Sequence, residues 1–369
     1  MSSLDNILAF FALMRAGLWE KEVWLSQYEA IDFNKVYSLA EELTVTGLVA
    51  AGLEHVVDRK IPQEVALAFV GSTLQVEQRN RSMNCFVARL IENLRKEDIY
   101  AILVKGQGIA QCYERPLWRA SGDVDLLLSE GNYQRAKESL IPKSTSTEKE
   151  YTSFKHLAMM IGDFEVELHG TLHTRLSKRV DRVIDEVQAD VFYGGSVRSW
   201  QNGGTQVFLP AVNNDVIFIF THILHHFYVE GIGLRQFCDW CRLLWTYKES
   251  LNHGLLESRI RKMGLMSEWK AFAAFAVDYL GMPVEAMPFY TPSNCYKKKA
   301  SKICQLVLAT GNFGHNKDNS YRVECSKMTS NFITFFRRMG EFARLSTIFP
   351  WNAPKFFVTY SINRFKSVL

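Results

Sequence analysis

The chain has 369 residues, of which 47% are hydrophobic and 22% are charged. This balance excludes a fibrous repeat and a long disordered tract, because such chains do not carry enough apolar residues to fill a core. Lys plus Arg number 43 against 39 for Asp plus Glu, and the resulting charge of +4 is too small by itself to indicate binding to duplex nucleic acid. The length predicts two or three domains.

The seven cysteines are spread along the chain and do not predict a disulfide framework. Residues 1–5 carry no basic segment, and Arg15 and Glu20 interrupt the apolar stretch that follows, so we expect no signal peptide. No uncharged apolar run reaches the length of about 18 residues that a membrane-spanning helix needs. These features predict a reduced, cytoplasmic protein.

Three regions follow one another along the chain. Residues 1–96 are predicted to be helical, and the stretch 67–96 predicts one long helix with a charged side. Residues 97–210 are predicted to form a small α/β core, and residues 211–369 a second helical region. Within the core we predict strands at 99–104 and 123–128, helices at about 106–113 and 133–140, and a hairpin over 156–169 that turns at Gly162-Asp163.

Two carboxylates lie two residues apart on the second predicted strand. Asp123 and Asp125 therefore leave the same face, roughly 6.6–6.8 Å apart along the strand. Two carboxylates that point together repel unless a cation lies between them, so the pair suggests Mg²⁺ or Mn²⁺. An Asp-x-Asp pair alone is common on surface strands, but the apolar residues at 124 and 126–128 predict a buried strand, where carboxylates need a partner.

The hairpin carries further acidic residues. Glu165, Glu167 and His169 share one face of its second arm, and if this arm pairs with the Asp strand, one of the two glutamates becomes a third metal ligand. Such a carboxylate trio serves phosphoryl or nucleotidyl transfer, in which one metal holds the triphosphate and the other activates the attacking hydroxyl.

The first strand ends at Lys105-Gly106, directly before a helix. Such a turn directs backbone N–H groups toward an anion, and Lys105 could add a charge for a phosphate. Gly106-Gln107-Gly108 is neither a Walker A sequence nor a dinucleotide-binding fingerprint, so a tight strand-to-helix turn without a ligand is the alternative.

Four features of the C-terminal region have two interpretations. Arg235 and Asp239 form either a plain i,i+4 ion pair or a site in which Arg235 reaches a phosphate and Asp239 orients it. Cys238 and Cys241 have zinc-like spacing, and His222, His225 and His226 suggest a metal; their apolar helices favour core cysteines and core or cleft histidines instead. The aromatic, basic tail 332–365 either packs on the body or lies on an anionic membrane; Pro350 and Pro354 favour packing.

The motifs together resemble a known superfamily. The strand that ends at Lys105-Gly106, the segment Arg119-x-x-Gly122-Asp123-x-Asp125 and the segment Glu167-Leu168-His169 resemble the nucleotidyltransferases that include DNA polymerase beta. More closely, they resemble a bacterial group of uncharacterised nucleotidyltransferases, often found near polysaccharide-biosynthesis genes. Residues 231–240 (GIGLRQFCDW) and 311–314 (GNFG) are also similar to segments of that group, so the resemblance covers most of the chain.

The resemblance implies an α+β fold: a minimal nucleotidyltransferase core, with a small mixed sheet, flanked by the two helical regions. It implies that Asp123, Asp125 and Glu167 are catalytic and bind Mg²⁺ or Mn²⁺; Glu167 is preferred to Glu165 because the family's acid lies two residues before the His. The residues expected to bind the nucleotide are Lys105, Gly106, Gln107, Arg119, Gly122 and Arg235. His169 and Asp239 are expected to support the site without contacting the metal directly.

One position departs from the wider superfamily, which usually has Gly-Ser at the turn where this chain has Lys105-Gly106. Because the hydroxyl is missing, Lys105 or Arg119 would have to contact the triphosphate. The expected activity is transfer of a nucleoside monophosphate from an NTP such as ATP to an unidentified acceptor, for example a sugar, a glycan precursor or another small molecule. The alternative is a non-catalytic nucleotide-binding protein or a scaffold for glycan assembly.

Overall fold

The computed structural model describes residues 2–151, 155–312 and 327–368. The strands are β1 (Ala101–Val104), β2 (Val124–Leu128), β3 (Ser146–Thr147), β4 (His156–Ile161), β5 (Phe164–His169), β6 (Val197–Asn202) and β7 (Thr205–Pro210). The helices are α1 (Ser2–Trp19), α2 (Phe33–Glu42), α3 (Thr46–Glu54), α4 (Gln63–Lys96), α5 (Gly106–Ala110), α6 (Glu130–Leu140), α7 (Lys178–Tyr193), α8 (Val212–Val229), α9 (Leu234–Thr246), α10 (His253–Met263), α11 (Met266–Leu280), α12 (Asn294–Thr310), α13 (Lys327–Ser346) and α14 (Asn352–Val368).

Across the described ranges, five strands form a mixed sheet in the order β1-β2-β5-β4-β3. Strands β2 and β5 are parallel, and the other neighbouring strands are antiparallel. The predicted α+β fold, the predicted strands and the hairpin that turns at Gly162-Asp163 are confirmed. Helix α7 and the separate β6–β7 hairpin were not predicted.

The two faces of the sheet belong to two different cores. In β1, Ile102 and Val104 join a large core that contains the helices before and after the sheet. Ala101 and Leu103 face a smaller core, formed with the second half of α4, helix α6 and strand β7. This alternation follows from the strand period of two. The helices that precede the sheet in the chain and those that follow it therefore share one core. The division of the chain into three regions at residues 96 and 210 stays a prediction.

Helix α4 connects the two cores. It ends at Lys96, as the pattern predicts, but starts at Gln63, four residues before the predicted start, and it contains no Pro and no Gly after Gly71. Val65 and Phe69 near its start are buried in the large core, whereas its second half belongs to the small one. Arg95 and Lys96 in the last turn suit the negative end of the helix dipole.

The aromatic tail packs on the body of the protein, as predicted. Tyr228 of α8 is 1% exposed and contacts the rings of Phe342, Phe349 and Phe356, with centroids 6.2, 6.2 and 4.9 Å away. Pro354 lies in the first turn of α14, where a missing N–H costs nothing. The side chains of residues 363–369 lie outside the described part.

A membrane-crossing segment is absent from the described ranges, where no helix combines sufficient length with sufficient hydrophobicity.

We predict that replacing Phe349 by Ala lowers the free energy of unfolding by about 3–5 kcal/mol, because a fully buried ring would leave a cavity. The matched control is Trp351→Ala: this neighbouring tail residue is 79% exposed, and its loss should change stability by no more than about 0.5 kcal/mol. Urea denaturation measures both. Equal effects of the two variants would contradict the packed tail.

Candidate active site

A cavity of about 360 Å³ lies between the sheet and the first two helices of the C-terminal region. One wall carries the carboxylates of Asp123, Asp125 and Glu167, and the opposite wall carries histidines of α8. The cavity therefore joins the two regions in which the sequence places its candidate residues.

The parallel pairing of β2 with β5 brings the three carboxylates together. In the register of these strands Asp125 lies beside Glu167, and Asp123 immediately precedes β2. One oxygen from each carboxylate lies within 4.8 Å of the others. The negative charge of Asp125, together with burial and the charge of Glu167, raises the pKa of Asp123. These residues therefore form a concentrated negative charge on one face of the sheet.

Lys105 and His169 partly compensate this charge. The Lys105 ammonium donates to Asp125 Oδ1 at 2.8 Å, and His169 Nε2 lies 2.8 Å from the same oxygen. Burial alone would raise the pKa of Asp125, but Lys105 and His169 hold it below its ordinary value. Burial would conversely lower the pKa of His169, whereas its bonds to Asp125 and Glu167 raise it. His169 thus contacts two carboxylates, and its expected supporting role stays a prediction.

Glu167 has a second histidine partner that the sequence patterns had not singled out. His156 and His169 each place Nε2 3.2 Å from Glu167 Oε2. Burial would raise the pKa of Glu167, but the hydrogen bonds from both imidazoles lower it well below its usual range. The sequence does indicate this partner, because a hairpin that turns at Gly162-Asp163 pairs His156 with His169 and so places both near Glu167. Glu165 lies exposed and outside the carboxylate group, so the geometry groups Glu167, not Glu165, with the Asp pair.

The turn after β1 has an unusual backbone. Lys105 has φ 58° and ψ −146°, and Gly106 has φ 39°. Non-glycine residues rarely adopt such conformations, which cost about 1–3 kcal/mol and cluster at functional sites. Gln107 does not line the cavity: its amide is buried and donates to Asn84 Oδ1 at 2.7 Å and to Asn80 Oδ1 at 3.3 Å. Helix α4 therefore holds the Gln107 side chain away from the cavity, and the expected role of Gln107 in nucleotide binding stays a prediction.

Asp239 has a different partner from the one its spacing suggested. Arg119 binds it through two parallel hydrogen bonds, Nε to Oδ1 at 2.8 Å and Nη2 to Oδ2 at 2.7 Å, and both side chains are about 5% exposed. The Tyr113 hydroxyl also donates to Asp239 Oδ1 at 2.7 Å. The predicted i,i+4 ion pair between Arg235 and Asp239 is therefore wrong. Asp239 engages two of the three guanidinium nitrogens of Arg119, which still lines the cavity, and the expected nucleotide contact of Arg119 stays a prediction.

Arg235 is left as a cation at the cavity wall. Its Nη1 donates to the carbonyl of Ala120 at 2.9 Å, and its Nη2 would lie 3.9 Å from a Cβ at Gly122. No carboxylate among the described residues forms an ion pair with it, and its buried Nε has no hydrogen-bond acceptor there. Burial and the neighbouring charge of Arg119 lower the pKa of Arg235. This arrangement suits an anionic ligand.

The remaining candidates on α8 and α9 separate into cavity and core residues. His222, His225 and His226 line the cavity, so they are cleft histidines; His225 Nδ1 lies 2.9 Å from the carbonyl of Thr174. Cys238 and Cys241 are fully buried in the large core, as predicted. The GNFG segment is only partly described: Gln236 donates to Asn312 Oδ1 at 3.2 Å, and residues 313 and 314 lie outside the described part.

A small mixed sheet that presents three converging carboxylates beside a strand–turn–helix is a nucleotidyltransferase-like fold. A family model described as "Uncharacterised nucleotidyltransferase" matches residues 29–281, more than half of the chain. The protein belongs to this family, and the resemblance stated from the sequence is confirmed.

Other comparisons add little. One solved structure that matches is of an antigenic nucleotidyltransferase-like protein from Paracoccidioides brasiliensis, at 12% sequence identity over 55% of this chain and 93% of that chain. Its TM-score of 0.33 is too low to carry an argument. No curated protein matches.

We predict that Asp239→Asn lowers the free energy of unfolding by about 3–5 kcal/mol, because it leaves the Arg119 guanidinium buried without its counter-charge. The double variant Arg119→Met/Asp239→Leu removes both charges, so its free energy of unfolding should fall by less than that of the single variant. Urea denaturation of the two proteins checks the order. A double variant less stable than the single one would contradict the uncompensated charge as the cause of the loss.

We also predict that Asp123→Asn increases the stability of the metal-free protein at neutral pH. The pKa of Asp123 is raised in the folded state, so its ionised form opposes folding above that pKa, and the neutral amide removes this penalty. The gain should disappear at acid pH, where the wild-type carboxyl is protonated. Urea denaturation in the presence of a chelator measures the effect, with the exposed turn residue changed by Asp163→Asn as the control.

Proposed function

We propose that the protein is a metal-dependent nucleotidyltransferase that moves a nucleoside monophosphate from an NTP to a hydroxyl or similar acceptor. The observation that carries the proposal is the convergence of Asp123, Asp125 and Glu167 at the cavity wall. Membership of the family supports the class of reaction. ATP is one candidate among the NTPs, and the cytoplasm is the proposed location.

The carboxylate group fits a divalent cation. Its donors are hard oxygen atoms, which Mg²⁺ and Mn²⁺ prefer, and the raised pKa of Asp123 indicates that its charge lacks sufficient compensation. When bound there, the ion supplies charge neutralisation for the triphosphate and lowers the pKa of the acceptor hydroxyl. Asp123, Asp125 and Glu167 would hold it, with Lys105 and His169 orienting Asp125.

The positive groups around the carboxylates support a place for the phosphates. Arg235 offers a guanidinium without a carboxylate partner among the described residues, and it lies beside Gly122, two residues before β2. Gly106, at the start of the helix that follows β1, lines the same cavity as Arg235. We propose that Arg235, Gly106 and Gly122 form the phosphate-binding wall, with Lys105 shared between Asp125 and the nucleotide.

The acceptor would enter from the wall formed by α8. This wall combines imidazoles, the Thr221 hydroxyl and the apolar Phe218 and Ile219, a mixture that suits an uncharged polar molecule such as a sugar or a glycan precursor. Burial lowers the pKa of both His222 and His225, so these imidazoles are neutral and can donate or accept hydrogen bonds.

One observation favours a second candidate function, a nucleotide-binding protein without transferase activity. The Lys105 ammonium lies 2.8 Å from Asp125, so a protein cation already neutralises one of the metal-binding carboxylates. In addition, the turn lacks the hydroxyl that is usual in the superfamily. Tight binding of NTPs without release of pyrophosphate in the presence of any tested acceptor would favour this alternative.

The direct test is calorimetric titration of each of the four NTPs in the presence of Mg²⁺. We expect binding to wild type to require the metal and to disappear in Asp123→Asn/Asp125→Asn, and pyrophosphate release to fall at least about 100-fold, because lost charge stabilisation costs several kcal/mol. Asp163→Asn, the same chemical change at an exposed turn, should behave as wild type. Metal-dependent turnover that survives in the double variant would overturn the proposal.

Arg235→Met tests the phosphate-binding wall. Loss of a charged hydrogen bond costs about 1.5–3 kcal/mol, so the affinity for NTP should fall between about tenfold and 150-fold. Binding of a nucleoside without phosphates should be unaffected. Arg182→Met, at an exposed position of α7, is the matched control. Equal affinities of the two variants for NTP would remove Arg235 from the site.

A further inference from the structure

Glu167 belongs to two groups of ligating side chains. Besides the carboxylate trio, it forms a second group with His156 and His169, whose donor atoms also lie within 4.8 Å of one another. Both imidazoles direct Nε2 at the same carboxylate oxygen, each at 3.2 Å. All three residues line the cavity.

The hairpin builds this second group. His156 and His169 are paired across β4 and β5, with their rings 4.9 Å apart, and Ala158 is paired with Glu167. The small side chain of Ala158 leaves the space beside Glu167 to the two imidazoles. The group therefore lies on regular strands, which position ligands more precisely than loops do.

Two of the three distances between the donor atoms match those of a metal site, and the donor atoms of the two imidazoles lie within 4.8 Å of each other. Ligand bonds of about 2.0–2.2 Å in a tetrahedral zinc site place neighbouring ligand atoms about 3.3 Å apart, close to the 3.2 Å found between each imidazole nitrogen and the carboxylate oxygen. Two imidazoles and one carboxylate are a ligand set of transition metals, whereas Mg²⁺ prefers oxygen alone. The donor chemistry thus differs from that of the carboxylate trio.

We propose that His156, Glu167 and His169 bind one transition-metal ion of the Zn²⁺ class, through two imidazole nitrogens and one carboxylate oxygen. The fourth position faces the cavity, where water or a substrate atom can occupy it. Asp125 keeps its bond to Lys105 when His169 turns its nitrogen to the ion. The site does not depend on the transferase activity proposed above, although the two metal sites share Glu167.

Co²⁺ is the probe, because its visible absorption reports the coordination number and the presence of nitrogen ligands. The full-length protein is titrated with Co²⁺ in the presence of excess Mg²⁺, as wild type, His156→Gln and Asp123→Asn. We expect His156→Gln to weaken Co²⁺ binding at least about tenfold and to lose the spectrum of the low-coordinate ion. Asp123→Asn leaves His156, Glu167 and His169 intact, so it should keep both the affinity for Co²⁺ and the spectrum of the low-coordinate ion.

Equal binding of Co²⁺ by wild type and His156→Gln, or an absorption spectrum typical of six oxygen ligands in wild type, would overturn the proposal. Thermal unfolding of metal-free His156→Gln checks that the variant is folded. X-ray absorption of the wild-type protein with one equivalent of Zn²⁺ gives a test that needs no variant. Two imidazole ligands support the site, and one or none contradicts it.

Discussion

The buried ion pair between Arg119 and Asp239 fixes the relation between the sheet and the C-terminal helices. Because neither charge can stay buried alone, the loop before β2 and helix α9 are held at one separation. Asn80 of α4 reinforces the same loop by donating to the carbonyls of Leu117 and Arg119. Asp123 follows Arg119 by only four residues, so the position of a proposed metal ligand depends on a helix more than a hundred residues away.

A second constraint acts inside the cavity, where negative charge is gathered and only partly compensated. Lys105 and His169 offset Asp125, and two imidazoles offset Glu167, whereas Asp123 retains a raised pKa. Lys105 and the two histidines offset the carboxylate charges in the metal-free protein. They therefore contact the same oxygen atoms that would bind a cation. Such a site gains more from an added positive charge than an isolated carboxylate would.

Local patterns predicted much of the fold and part of the site. Alternation and β-branched residues located β1, β2 and the β4–β5 hairpin, and the parity of the strands placed the Asp pair and Glu167 on one face. Partners distant in the sequence were beyond such patterns: the pairing of Arg119 with Asp239 spans 120 residues, and nothing in the spacing of either residue indicates it. The positive φ of Lys105 could not be predicted either, since glycine is the residue expected in such a conformation.

The shared core of the outer helices has a consequence for synthesis of the chain. The Trp19 indole at the end of α1 donates to the carbonyl of Leu280 at 2.7 Å, and Arg242 donates to the carbonyl of Leu18 at 3.1 Å. Helix α1 can pack early on α3, where Gly17 and Gly52 let the two helices approach closely, but it cannot complete its contacts with α11 until that helix has been made, some 260 residues later. The part of α1 that faces α11 stays exposed during that interval, and late burial of such apolar surface favours slow completion of the large core.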